Sequence, residues 1–174
     1  LDKENIDEIL PNGFPANFFP SLWRSSWVKK DLKKLGIDIY HGLSHEIPVG
    51  IKPAGIKSVV TIHDLIHERY PEQYNSIDVR IYNKKFRHAC LNADRVIAIS
   101  EQTKRDIVEK YEVPASKIFV CYQSCNSMFG QTIPDKEKEI VRRKYELPEN
   151  FFLHVGSIIE RKNLLNVCKA FFIL

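Results

Sequence analysis

Short apolar runs alternate with charged, helix-periodic stretches along this chain, and that alternation limits its fold more than any other feature. The runs are Ile37 to Tyr40, ending at His41; Ser58 to Ile62, ending at His63 and Asp64; "RVIAIS", ending at Ser100; "KIFVCYQ"; and "FFLHVGS". They read as five strands, the run Ser58 to Ile62 being rich in β-branched residues. Between them lie helical patterns. "WVKKDLKKLG" puts Val28, Leu32 and Leu35 on one stripe, with Gly36 suited to the helix end. "VRIYNKKFRHACLNA" aligns Ile81, Phe86, Ala89 or Cys90, and Ala93. "EQTKRDIVEKY" takes Ser100 as its N-cap and stops near Pro114, a charged helix lies between Pro134 and Pro148, and "KNLLNVCKAFFIL" is the last helix.

Strands this uniformly apolar imply parallel pairing with burial on both faces, hence an α/β, Rossmann-like doubly wound sheet. Ligands of such sheets bind beyond the carboxyl ends of the strands. Those ends read His41, His63 with Asp64, Ser100 with Glu101, Tyr122 with Gln123, and Gly156 with Ser157. The polar edge is where a site is expected.

A chain of 174 residues suffices for one well-packed domain and is short for two. The excess of basic over acidic residues, 26 − 22 = +4, suits an acidic ligand such as a phosphate without implying nucleic-acid binding. Cys90, Cys121, Cys125 and Cys168 fall at irregular spacings, only Cys121 and Cys125 being close and not in a C-x-x-C, and are expected to be reduced, mostly core thiols. The stretch "LDKENIDEIL" has no secretory pattern, and no window reaches the roughly 18 apolar residues of a membrane span. A cytoplasmic protein, soluble or peripheral, is expected.

Two histidine pairs, His41 with His45 and His63 with His67, have the four-residue spacing of a zinc site. That spacing serves a metal only where both rings share a helical face. His63 instead continues a strand, and Asp64 stands where a metalloprotease has Glu. The expectation is no metal, with His45, His67 and His88 as loop or helix-surface residues without a task. His63 is set apart by its strand end beside a carboxylate, where an imidazole can meet a sugar hydroxyl; a ring satisfied by Asp64 that only fixes the turn is the competing reading.

"YHGLSHEIP", "VVTIHDLIHERYPE", "ADRVIAISEQTKRDIVEKYEVPASKIFV" and "FFLHVGSIIERKNLLNVCKAF" occur in the order and at the intervals found in glycosyltransferase family 4. The resemblance covers roughly residues 37 to 174 and is nearest to mannosyltransferase-like members. It implies the GT-B fold, two Rossmann-like domains across a cleft, and retaining transfer from a nucleoside diphosphate sugar to a glycan or lipid-linked acceptor in surface polysaccharide synthesis. On that plan, residues 1–130 are the acceptor-side domain without its first strand and glycine-rich loop. Residues 131–150 are a charged helical linker, and 151–174 are the first strand and helix of the donor domain, before its paired glutamates. The expectation is a fragment of a longer enzyme, inactive alone.

The resemblance also implies residue roles. His63 and Asp64 would be the catalytic pair at the donor sugar. Gly156, Ser157, Arg161 and Lys162 would hold the donor diphosphate, where developing negative charge rewards cations and a helix N-terminus. His41, Ser100 and Lys104 would line the cleft, although an N-cap and a surface lysine explain the last two equally well. No cofactor or metal is implied, since the cations could replace one. An Asn-Gly turn usual at the family's hinge is replaced by Gln123 and Ser124, which puts the hinge geometry in question. Trp23, Trp27, Lys30 and Lys34 form a stripe that could touch anionic lipid, with burial of the tryptophans as the stronger reading. A non-catalytic Rossmann-like binding module is the alternative to the enzyme.

Overall fold

The computed structural model describes residues 6–173. Residues 1–5 and 174, which belong to the polar N-terminus and the last helix read above, lie outside them. The chain divides into two compact units, one up to Ser124 and one from Cys125.

In the first unit a helical turn, Pro20–Leu22, and a π-helical turn, Trp23–Trp27, lead into α1, Val28–Lys34. The expected Gly36 stop is present: Gly36 has φ +69°, its N–H donates to Lys33, and Ile37 N–H donates to Leu32. The π turn inserts a residue, so the Trp23, Trp27, Lys30, Lys34 spacing does not make one straight stripe. Trp23 Nε1 donates to Asp31 Oδ2 at 2.7 Å, and both tryptophans are half-buried.

Four parallel strands follow in sheet order β1 (Ile39–Gly42), β2 (Lys57–Ile62), β3 (Arg95–Ala98) and β4 (Ile118–Val120). A short α2, Ile66–Arg69, and a long α3, Ser76–Asn92, connect β2 to β3; α4, Glu101–Tyr111, connects β3 to β4. In a monotonic order, right-handed crossovers put every connecting helix on the same face. Burial follows that rule and corrects the expectation of two covered faces. Val60, Ile62, Val96, Ala98 and Ile118 are buried with Ala89 and Cys90 of α3 and Ile107 and Tyr111 of α4. Across the same register the other face carries half-buried Val59 and Ile97 and a Phe119 that is 52% exposed, with Arg95 lying over its ring.

The expected α3 stripe is corrected at Ile81, which is exposed. Five residues from Phe86, it points away from that ring. Tyr82, at the proper four-residue interval, is the residue that touches Phe86.

In the second unit α5, Asp135–Lys144, begins at Pro134 with acidic residues and ends with basic ones, in keeping with its dipole. The fifth strand expected at "FFLHVGS" is not formed: residues 151–155 carry no strand pairing. A strand needs a partner for its N–H and C=O groups, and no other strand occurs among the described residues of this unit. Its apolar side chains are largely exposed, Phe152 meeting Phe171 of the last helix, α6 (Leu164–Phe171), edge to face.

Candidate functional site

His63, at the carboxyl end of β2, is met by the segments that follow β1 and β4 and by the start of α4. Its ring Nε2 lies 3.0 Å from the Leu43 carbonyl, beyond β1. A carbonyl only accepts, so this nitrogen carries a proton and donates. Nδ1 faces the side-chain amide of Gln123, beyond β4, at 3.3 Å. The His63 N–H donates to His45 Nε2 at 3.0 Å, and its carbonyl accepts from Thr103 Oγ1 at 3.1 Å. The residue is held at its amide, its carbonyl and both ring nitrogens.

The first of these restraints begins at Gly42, the buried last residue of β1. A Cβ there would collide with the Glu46 carbonyl, so only glycine lets the chain fold back over the strand end. His45 takes the left-handed conformation, φ +64°, in that reversal. Its own N–H donates to Thr61 of β2 at 3.2 Å, and its ring stacks on Phe86 of α3 with centroids 4.4 Å apart and planes within 5°. Phe86 also receives the edge of His67 at 4.7 Å.

The histidines are therefore paired differently from their spacing. His45 goes with His63 and, through Phe86, with His67. The readings of His45 and His67 as task-free surface residues are corrected: His45 is half-buried and hydrogen-bonded to His63, and His67 is 3% exposed against Tyr82 and Phe86. Burial lowers the pKa of His45, with the nearby His63 adding to the effect, and burial likewise lowers those of His67 and His88. Among the described residues no group of three His, Cys, Asp or Glu side chains is placed to hold a metal ion.

Asp64 does not pair with His63. Its Oδ1 accepts from the Ile66 N–H at 3.1 Å, opening α2, while the carboxylate stays exposed at the sheet edge. His41 reaches sideways to Thr61 Oγ1 at 2.8 Å, so its ring also belongs to this edge. Ser100 caps α4, accepting from the Thr103 N–H at 3.1 Å. Because the Thr103 hydroxyl donates to His63, the Ser100 hydroxyl must donate to Thr103 Oγ1, 2.9 Å away. Lys104 is half-buried on the first turn of the same helix. Arg69, at the end of α2, grips Asp106 of α4 with Nε at 3.2 Å and a terminal nitrogen at 2.9 Å, and Gln102 adds a bond at 2.8 Å. This pair locks the His63–Arg69 segment onto α4.

The other group of expected residues lies in the second unit. Gly156 has φ +149°, a conformation that L side chains rarely adopt, and Ser157 follows it, exposed. Arg161 and Lys162 were expected at the start of the last helix. They lie instead in a 3₁₀ turn, Glu160–Lys162, because left-handed Asn163 at φ +55° separates them from α6. Both are exposed cations in front of that helix's N-terminus.

Sequence reasoning missed His45, Thr103 and Gln123 as partners of His63, and Phe86 as the ring that seats His45. Gln123 stood out at a strand end and as a departure at the hinge, with no local sign that its amide faces the His63 ring.

A family model described as Glycosyltransferase Family 4 matches residues 3–126. The chain is 26% identical over 154 residues to O-antigen chain mannosyltransferase B of Escherichia coli, covering 87% of this chain and 38% of that protein. It is 25% identical over 132 residues to the serotype-specific mannosyltransferase WbdA of Escherichia coli, covering 71% of this chain and 16% of that protein. A crystal structure of a glycosyltransferase from Rickettsia africae ESF-5 aligns with a TM-score of 0.49 at 24% identity, covering 86% of this chain and 38% of that one. The chain thus spans well under two thirds of the length of these relatives. Among the described residues no helix is long and apolar enough to cross a membrane.

Proposed function

The chain belongs to glycosyltransferase family 4, and on that premise we propose that the protein transfers mannose or a similar hexose, with retention, from a nucleoside diphosphate sugar to a glycan or lipid-linked acceptor. The observation that carries the reading is one restrained residue, His63 at the end of β2, held through its ring by Leu43 and Gln123 beyond β1 and β4 and through its main chain by His45 and Thr103, at the edge where α/β sheets bind ligands. In the transfer the bond from the anomeric carbon to the diphosphate breaks and one to the acceptor oxygen forms on the same face. The acceptor hydroxyl's proton leaves with the diphosphate. Positive charge develops on the sugar and negative charge on the leaving group.

His63 contributes a contact to the donor sugar. Its Nε2–H is held by Leu43, and Nδ1 is offered to a sugar hydroxyl once the exposed Gln123 amide swings away. Asp64 stands beside it with a free carboxylate edge for the acceptor. Arg161 and Lys162, with the Gly156–Ser157 backbone, take the diphosphate, and no metal or cofactor enters this reading. The two named relatives act on mannose by name, and one of them on an O-antigen chain, which supports mannose and a surface polysaccharide. Work at a lipid-linked acceptor would keep the protein at the cytoplasmic face of the membrane. Exposed Phe14, Phe18 and Leu22, followed in the chain by exposed Lys30 and Lys33, suit such a contact.

The test uses the full-length protein with labelled GDP-mannose, UDP-glucose and UDP-galactose, and lipid-linked glycan as acceptor. Transfer from one of these donors to a product of unchanged anomeric configuration is expected. Absence of transfer from all three, or an inverted product by proton NMR, would reject the reading.

A further inference from the structure

We propose that His45 is the positioning residue for His63, its neutral Nε2 holding the His63 peptide while Phe86 holds His45. The proposal builds on the reading of His63 as a donor-sugar contact. Its basis is geometric. The His63 amide has a ring nitrogen as its acceptor, and a ring nitrogen accepts only when it carries no proton. The ring that supplies it cannot wander, because it lies flat on Phe86 and its backbone is bonded to Thr61. The same 43–46 loop supplies the Leu43 carbonyl that sets the His63 tautomer. One short loop therefore fixes both the place of the peptide and the proton of the ring.

A consequence follows for pH. Protonated His45 would point an N–H at the His63 N–H, two donors facing each other, and the hold would be lost. The charged or titratable groups around His45 are His63 and Asp64 at the end of β2, His67 of α2, and Glu46 of its own loop. Glu46 is itself engaged by Arg24 and by Lys85 of α3, each at 2.8 Å. Burial favours the neutral His45 ring. As pH falls through the range of that depressed pKa, the contact should open.

The test compares the full-length wild type with His45→Phe, which keeps a flat ring but has no acceptor, and His45→Gln, which keeps an acceptor that does not titrate. Readouts are hydrogen exchange at the His63 amide, the ¹⁵N shifts of the His63 ring, and hydrolysis of GDP-mannose without acceptor. In His45→Phe the His63 amide is expected to exchange about tenfold faster, as one lost hydrogen bond allows. The ring shifts should move toward mixed tautomers, and kcat should fall more than KM changes. In His45→Gln protection and turnover should persist, and the decline seen in wild type on acidification should disappear. Unchanged amide exchange and ring shifts in His45→Phe would overturn the proposal, as would an acid decline in His45→Gln equal to that of wild type. His63→Ala serves as reference: turnover at the wild-type rate there would remove the role assigned to His63, while the amide and ring data still decide what His45 does.

Discussion

The Thr103 hydroxyl, on the first turn of α4, donates to the main-chain carbonyl of His63 at 3.1 Å, so a helix start is tied directly to a strand end. Thr103 is buried, and Ser100 both caps its N–H and donates to its oxygen. Thr103→Val has nearly the same shape and removes the donor, leaving a carbonyl without its partner. A loss of about 1–3 kcal/mol in urea unfolding is expected. Thr103→Ser should recover most of it, and equal stability of the valine variant and wild type would contradict the arrangement.

Gly42 makes the reversal over β1 possible. Gly42→Ala places a methyl against the Glu46 carbonyl, so the loop carrying Leu43 and His45 must shift. A destabilisation of roughly 1–3 kcal/mol is expected, the cost of overpacking a close backbone approach. Histidine NMR should show the His63 ring released, whereas Gly55→Ala, where nothing lies within 4 Å but φ is +83°, should leave that ring unaffected.

Acid should unfold the protein earlier than its carboxylates alone would. His45, His67 and His88 all have pKa values below the ordinary 6.5, burial being the main cause. The unfolded chain therefore takes up protons that the folded one resists. The stability these neutral rings contribute is fully present above about pH 6.5 and is lost as pH falls toward their folded values. The melting temperature should decline steadily below about pH 6.5, and a His67→Phe variant should decline less steeply. A flat profile from pH 7.5 to 5 would contradict the burial of these rings.

Arg161 and Lys162 are exposed, and neither makes a side-chain hydrogen bond or ion pair among the described residues, so their removal should leave stability unchanged. In the full-length protein Arg161→Ala and Lys162→Ala should each slow transfer by on the order of ten- to a thousandfold, the scale of losing one charge-stabilising donor. Near-normal turnover in both would remove them from the diphosphate site.

Much of the framework was legible before any coordinates. Alternating apolar runs and charged helices are local signals, and they located β1 to β4, the Ser100 cap, the Gly36 stop and the edge where His41, His63 and Gln123 meet. They work because burial and capping act on residues close in sequence. Which histidine serves which was not legible. The strand reading separated His63 from His67 but offered it no histidine partner, and the partners of His63 come from residues 43, 45, 103 and 123, on three different segments. Sequence spacing constrains side chains within one element; only the parallel register of four strands brings these together. The run at 151–155 shows the opposite dependence. Its composition suits a strand, but a strand exists only where another supplies hydrogen-bond partners, and that is decided by tertiary structure.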